Sequence, residues 1–190
     1  QMCIRDSITY RLKKNGRAGV VLPDGFLFGS DGAKLALKER LIKEFNLHTI
    51  IRLPGSVFSP YTSIATNLLF FDKTHPTKDV WFYRVDKPEG YKNFSKTKPL
   101  LLEHLQPAMD WWGSRDEISD ADGNPKAKRY SAQEIIEGGY NLDLCGFPQA
   151  SIKVLSPAET IANYKTRRAE LDAQIDAQIA LIESFLAVKE

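Results

Sequence analysis

The fold is decided by residues 16–53, which have the sequence GRAGVVLPDGFLFGSDGAKLALKERLIKEFNLHTIIRL. The apolar run at residues 18–22 is stopped by a proline and predicts a short buried strand. Asp31 can cap a helix that continues to about Phe45, because apolar side chains recur there at helical spacing. Residues 47–53 are rich in β-branched side chains and end at a Pro-Gly turn, so they predict a second strand.

Two further strands are predicted at residues 63–71 and 80–85. The short connection at residues 74–77 suggests that they form an antiparallel hairpin at one edge of the sheet. Strand, helix, strand and hairpin together are typical of the second half of an α/β sheet that has an antiparallel terminal strand. With about four strands and one flanking helix, such a piece would leave one sheet edge unpaired and part of its apolar face uncovered.

The composition sets limits on the class of protein. The chain has 190 residues, 43% of them hydrophobic, which suits one domain plus an appendage. Lys and Arg number 26 against 24 Asp and Glu, so the bulk charge neither requires nor excludes a nucleic acid. Cys3 and Cys145 lack C-x-x-C partners, and no apolar run is long enough to span a bilayer. We therefore expect a cytoplasmic protein without disulfides, zinc or a membrane partner, and we interpret residues 1–7 as a non-native leader.

The clearest helix begins at residues 156–159, a capping box with proline at the first helical position, and no Gly or Pro follows Pro157. Apolar side chains then recur in alternating steps of three and four, which is the pattern of a coiled-coil seam broken by Arg168 and Gln178. The seam residues are Ile161, Tyr164, Leu171, Ile175, Ile182 and Phe185. Because a helix of this length overhangs one small domain, a partner helix is favoured over docking on the helix's own domain.

Several separated motifs follow one another along the chain. They are Gly16–Gly29 (GRAGVVLPDGFLFG), Ile51–Pro54 (IRLP), Val57–Phe71 (VFSPYTSIATNLLFF), Val80–Tyr83 (VWFY), Tyr91, Ser95–Pro99 (SKTKP) and Tyr140–Asp143 (YNLD). In this order they resemble the late motifs of modification subunits of type I restriction-modification systems, which are adenine-N6 DNA methyltransferases. The resemblance covers nearly the whole chain from about Leu12 onward.

This resemblance implies an architecture and partners. The fold would be α/β, the C-terminal half of a Rossmann-like methyltransferase sheet with an antiparallel edge hairpin, followed by a long C-terminal helix. Residues 8–150 would form the C-terminal part of the methyltransferase domain, and residues 151–190 a helical tail for subunit association. In this family the tail meets the specificity subunit, and through it a restriction subunit. The complete enzyme acts on DNA with S-adenosylmethionine.

Two features of the family are absent from the sequence. Related enzymes hold the flipped adenine with an Asn or Asp, two prolines and an aromatic residue. None of the ten prolines here is adjacent to another, and no Gly-rich turn follows a strand early enough to form the cofactor loop. The exocyclic adenine amine is a poor nucleophile without positioned acceptors. We therefore expect no catalytic, cofactor-binding or metal-binding residue in this chain, and an inactive C-terminal fragment.

The loop before residues 63–71 carries Phe58, Pro60, Tyr61 and Thr62. The resembling enzymes place an aromatic residue there against the flipped base, where stacking contributes about 1–3 kcal/mol. The alternative is that Phe58 and Tyr61 are loop anchors buried under the sheet.

Residues 73–98 contain an excess of Lys and Arg interleaved with aromatic side chains. This combination favours phosphate contact, with Lys73, Lys96 and Lys98 as candidates. The alternative is a solvated loop beside an ordinary edge strand. Two other functions also stay open, namely a non-catalytic DNA-binding or assembly module and a different α/β enzyme.

Overall fold

The computed structural model describes residues 2–148 and 156–187, with side chains described for residues 7–148 and 156–182. The chain divides into two compact units, residues 1–148 and residues 149–190. Within the described residues, no helix has both the length and the apolar character that a membrane span needs.

The first unit contains six strands and their helices. In chain order they are α1 (Met2–Arg11), β1 (Arg17–Pro23), α2 (Gly25–Phe28), α3 (Gly32–Glu44), β2 (Asn46–Arg52), β3 (Thr66–Asp72), β4 (Asp79–Arg84), a 3-10 helix (Leu102–Leu105), α4 (Gln106–Ser114), β5 (Ile118–Ser119), β6 (Pro125–Ser131) and α5 (Ala132–Glu137). The four predicted strands and the predicted helix after Asp31 are confirmed. Asp31 caps α3 by accepting a hydrogen bond from the Lys34 backbone N–H over 3.1 Å.

The strand order in the sheet is β1-β3-β2-β4-β6-β5. β3 is antiparallel to both β1 and β2, whereas β2 and β4 are parallel to each other. β1, β2 and β4 therefore run in the same direction, and their carboxyl ends meet at one edge of the sheet. We call this edge the carboxyl rim; it consists of Asp24 after β1, Arg52-Leu53 at the end of β2 and Arg84-Val85 at the end of β4.

The predicted hairpin between residues 63–71 and 80–85 is wrong. β3 lies between β1 and β2, so β2 separates β3 from β4. The connection from β3 to β4 passes the start of β2, where the buried Thr77 hydroxyl accepts from the Leu47 N–H over 2.8 Å and donates to the Phe45 carbonyl over 2.8 Å. The short connection therefore links two strands, β3 and β4, that do not pair with each other.

The sheet does have an antiparallel hairpin at an edge, but β5 and β6 form it. The sequence did not predict β6 (PKAKRYS). Ala127 is its only buried residue, so the strand lacks the apolar alternation that marks a half-buried strand.

The two faces of the sheet are covered differently. On the first face, α3 packs Leu37, Leu41 and Ile42 against strand residues that include Ile50 and Phe82. The second face carries a smaller cluster, and α4 contributes Ala108 and Trp111 to it.

The second unit is described as one helix, α6 (Pro157–Ala187). It begins at the predicted capping box, where Ser156 N–H donates to Glu159 Oε2 over 2.8 Å and Glu159 N–H donates to Ser156 Oγ over 3.2 Å. The predicted long C-terminal helix is confirmed, and every one of its side chains that the structure describes is exposed.

Candidate functional site

Two buried arginines stand side by side on the carboxyl rim. Arg52 and Arg84 are register partners on β2 and β4, and they are 3% and 2% exposed. Arg52 Nη2 donates to Asp24 Oδ1 over 2.8 Å, and Nη1 donates to Asp143 Oδ1 over 2.6 Å. Nη1 also donates to the Leu144 carbonyl over 3.0 Å. Two carboxylates therefore compensate the buried charge of Arg52.

Arg84 has a similar set of partners. Its Nε donates to Asp86 Oδ1 and its Nη2 to Asp120 Oδ2, both over 2.8 Å, and its Nη1 donates to the Gly146 carbonyl over 3.0 Å. Burial alone would lower the pKa of Arg84, but the hydrogen bonds to Asp120 and Asp86 raise the pKa above its ordinary value. Because Arg52 binds Asp143 and Leu144 while Arg84 binds Gly146, the two guanidinium groups fasten one short segment across the ends of β2 and β4.

The loop that carries the predicted target-base residues, residues 53–65, is held at both stems. Arg52 precedes the loop and Asn67 follows it, and Asn67 Nδ2 donates over 3.1 Å to the same Asp24 Oδ1 that accepts from Arg52. The backbone closes the stems as well, since Leu53 N–H donates to the Thr66 carbonyl over 2.9 Å. The Asp24 carboxylate thus fixes the point where the chain leaves the sheet and the point where it returns.

The loop is also closed within itself. Ser56 N–H donates to the Ser63 carbonyl over 3.0 Å, and Tyr61 N–H donates to the Phe58 carbonyl over 2.9 Å. Ser56 Oγ accepts from the Phe94 N–H over 2.9 Å, which fastens the neighbouring segment against the loop. These contacts make the loop a defined structure.

The structure places the four predicted loop residues together at this end of the sheet. Phe58 is 41% exposed and Tyr61 is 93% exposed. Pro60 is exposed, and the Thr62 hydroxyl accepts from the Ile64 N–H over 3.1 Å. The exposure of Tyr61 is incompatible with a buried anchor, whereas Phe58 is partly covered.

The three predicted lysines do not lie together. Lys96 and Lys98 are exposed in the segment that Phe94 fastens to the loop, and Lys98 Nζ lies 5.4 Å from the centre of the Tyr91 ring. Lys73 follows the far end of β3, a strand of seven residues that spans roughly 20 Å. Lys73 Nζ donates to the Leu12 carbonyl over 3.3 Å there. The structure therefore separates Lys73 from the loop at residues 53–65.

The predicted seam residues of α6 are exposed where their side chains are described. Ile161, Tyr164, Leu171, Ile175 and Ile182 range from 51% to 62% exposed. The side chain of Phe185 lies outside the described residues. Ile179 and Leu181, at 47% and 50% exposed, widen the apolar stripe toward the end of the helix.

The rim arginines were not predicted as site residues. Arg52 stands in the motif IRLP and Arg84 is the last residue of β4. The sequence feature that could have identified these arginines is a charged residue at the end of each of two buried strands. In the described part of the chain, no cluster of three His, Cys, Asp or Glu side chains could hold a metal ion.

The model of the family described as N-6 DNA Methylase matches residues 2–152. The chain belongs to the N-6 DNA methylase family. This match covers the whole sheet together with the loop at residues 53–65, and it excludes the alternative of an unrelated α/β enzyme.

Known members with similar sequences are type I methylase subunits. The methylase subunit of the type I restriction enzyme EcoEI from Escherichia coli is 47% identical over 161 residues, which are 84% of this chain and 33% of the relative. The methylase subunit of the EcoKI enzyme from the same species is 38% identical over 116 residues, 56% of this chain and 21% of the relative. The chain therefore spans a third or less of the length of these relatives.

Solved structures agree with the sequence comparisons. A modification subunit of a putative type I restriction enzyme from Vibrio vulnificus YJ016 is 45% identical, with a TM-score of 0.63 over 70% of this chain and 28% of that one. A structure that describes complex assembly of the type I restriction-modification system matches 96% of this chain and 39% of that one, with 30% identity and a TM-score of 0.68. The resemblance inferred from the motifs is confirmed.

Proposed function

We propose that this chain is the C-terminal part of a type I adenine-N6 DNA methyltransferase that uses S-adenosylmethionine, and that it supplies target-base and subunit contacts. The observation that carries this proposal is the exposed aromatic loop at the carboxyl rim, held at both stems through Asp24. In open α/β sheets, ligands bind beyond the carboxyl ends of the parallel strands. The loop therefore stands where a substrate base would arrive.

Phe58 is the residue best placed to meet that base. An extruded base loses its stacking in the duplex, and an aromatic ring in the enzyme restores part of the stacking energy. The Phe58 ring is partly covered and partly exposed, so it is supported and still accessible. Pro60, Tyr61 and Thr62 extend the same surface.

Lys96 and Lys98 extend the surface with positive charge. Phosphate contacts by such residues position a nucleic acid without reading its sequence. Because Phe94 ties their segment to Ser56, both lysines stay close to the loop. We assign Lys73 no part in this surface because it follows the opposite end of β3.

The cofactor site and the amine-holding motif would lie outside this chain. A cofactor loop needs a Gly-rich turn from a parallel strand into a helix. Of β1, β2 and β4, only β1 leads directly into a helix, which is the four-residue α2 beside Asp24. The Asp24 carboxylate already binds Arg52. These residues do not fit S-adenosylmethionine, and the isolated chain is expected to bind neither the cofactor nor a methylatable base productively.

The tail helix would provide the subunit contact. Its exposed apolar stripe is interrupted by Arg168 and Gln178, a pattern suited to a helical partner. We assign this stripe to the specificity subunit, which would connect the methylase to a restriction subunit. An enzyme of this kind, acting on the cell's own DNA, would be cytoplasmic.

A chimeric methylase tests the proposal. In the chimera, the segment of the EcoEI methylase subunit that matches this chain is replaced by the matching segment of this chain, and the chimera is assembled with the EcoEI specificity subunit. We expect methyl transfer to adenine in the EcoEI recognition site. A chimera that assembles and binds DNA without transferring methyl groups would favour the alternative, a non-catalytic DNA-binding or assembly module.

A further inference from the structure

An apolar groove of about 410 Å³ crosses the second face of the sheet. It is lined by Ile51, Leu68, Phe70, Leu105, Ala108, Met109 and Trp112. All seven side chains are apolar, and Met109 is 52% exposed. An exposed apolar surface of this kind is typical of a face that another element covers.

The apolar surface continues from the groove onto β1. Gly19 and Val21 are the register partners of Phe70 and Leu68, so they share the face that carries the groove. Val21 is 50% exposed. A side chain in place of Gly19 would come within 3.3 Å of the Phe70 ring, so this strand approaches the groove closely.

Beyond Val21 lies the free edge of the sheet. Among the strands that the structure describes, β1 is the outermost and pairs only with β3. A sheet edge with unpaired backbone groups attracts another segment unless it is protected. The open face and the open edge are therefore adjacent, and one neighbouring body of protein could cover both.

Arg115 marks one end of the groove. It ends α4 with a φ of 53°, and its guanidinium carbon lies 4.9 Å from the centre of the ring of Trp112, a groove residue. Its Nη2 lies 3.5 Å from His48 Nδ1. Partial burial lowers the pKa of Arg115 below its ordinary value.

Arg115 differs from the two rim arginines in its partners. Arg52 and Arg84 each bind two carboxylates, whereas no carboxylate of residues 7–148 or 156–182 forms an ion pair with Arg115. A partly buried charge without a counter-charge is unfavourable. The groove thus combines an apolar floor with a cation that has no anionic partner among the side chains the structure describes.

We propose that this groove receives an amphipathic helix from the part of the complete methylase that lies outside this chain, with its apolar face on Met109 and Leu68 and a carboxylate on Arg115. The chain spans 33% of the EcoEI relative, so most of such a polypeptide is available to cover the face. The free edge of β1 beside the groove favours the same polypeptide as the occupant. DNA is disfavoured because an apolar floor offers nothing to a phosphate backbone.

The proposal rests on the chain being part of a longer methylase, and thermal unfolding of two proteins tests it. Met109→Glu is introduced into the isolated chain and into the EcoEI chimera. Met109 is 52% exposed in the isolated chain, so the substitution should change its Tm little. In the chimera the substitution should lower the Tm by about 4 °C or more. Leu102→Glu is the matched control, because Leu102 is 68% exposed in the same 3-10 helix as the groove residue Leu105 and does not line the groove. Its effect should be small in both proteins.

A milder substitution keeps the test informative if the Glu variant of the chimera fails to fold. In a Met109→Cys variant, maleimide labelling at position 109 should be at least about tenfold slower in the chimera than in the isolated chain, while a Leu102→Cys variant should label alike in both. Equal Tm changes in the two proteins, or equal labelling at position 109, would overturn the proposal. Neither measurement needs methylation activity, so a chimera without activity would count against the proposed function and not against the groove.

Discussion

Arg52 and Asp24 join two strands that are not neighbours in the sheet. Arg52 ends β2, Asp24 follows β1, and β3 lies between these strands, yet Arg52 Nη2 and Asp24 Oδ1 are 2.8 Å apart. Asn67, near the start of β3, donates to the same carboxylate oxygen over 3.1 Å. One carboxylate therefore links three strands at the base of the loop at residues 53–65.

Replacing Arg52 should destabilise the sheet strongly. In Arg52→Ala, Asp24 and Asp143 lose their common cation, and breaking a buried ion pair costs about 3–5 kcal/mol. Urea unfolding followed by circular dichroism measures the change. Arg40→Ala removes an exposed i,i+4 partner of Glu44 and should cost about 0.5 kcal/mol. Similar losses in the two variants would show that the rim network contributes no special stability.

Phe58→Ala should impair methylation by the EcoEI chimera. Loss of a base-stacking ring costs about 1–3 kcal/mol, or roughly 5- to 150-fold in rate. Fluorescence of 2-aminopurine at the target position should show less base extrusion in the variant. Phe28→Ala is a control, because Phe28 is 59% exposed on α2, outside the loop. If turnover and base extrusion are unchanged in Phe58→Ala, Phe58 does not stack on the base and serves only as a loop anchor.

Protonation of His48 should weaken the fold below neutral pH. Burial, and then the charge of Arg115, lower the pKa of His48 below its ordinary value of 6.5. A base whose pKa is lower in the folded state than in the unfolded state contributes to stability at pH values above its unfolded-state pKa. That contribution is lost as the pH falls through the pKa of the folded state.

The measurement is the free energy of unfolding at about pH 7.5 and about pH 5.5, for the wild type and for His48→Gln. The wild type should lose more stability on acidification than the variant, because only the wild type has the half-buried imidazole. Identical losses would mean that His48 does not contribute to the pH dependence.

Local patterns made most elements predictable. β1 and β2 are short apolar runs stopped by proline, and α3 and α6 have clear caps and spacing. The strand order could not be obtained from such signals. β3 crosses back to lie between β1 and β2, and only tertiary packing decides which neighbours a strand takes.

The site was predictable in part. The motif resemblance located Phe58 and its loop, which the structure places at the carboxyl rim. The partners of Arg52 were not predictable, because Asp143 lies 91 positions further along the chain and Asp24 lies 28 positions before it. The prediction also grouped Lys73 with Lys96 and Lys98 because all three lie between residues 73 and 98. The fold separates them, since Lys73 lies at the other end of β3.

Charges on the α6 stripe should abolish subunit binding. Leu171→Asp with Ile175→Asp places two carboxylates on the seam, and burying an unpaired carboxylate costs several kcal/mol. Co-purification with a specificity subunit measures the effect. Ala169→Asp with Ala173→Asp adds the same charge away from the seam and should preserve binding. If both double variants co-purify at wild-type stoichiometry, the seam does not face the partner.

The most direct measurement is a calorimetric titration of S-adenosylmethionine into the isolated chain and into the EcoEI chimera. If this chain is the target-base and assembly part of a methylase whose cofactor site lies elsewhere, the chimera binds the cofactor and the isolated chain gives no binding heat. Saturable binding of S-adenosylmethionine to the isolated chain, or its absence from a folded chimera, would contradict that division of roles.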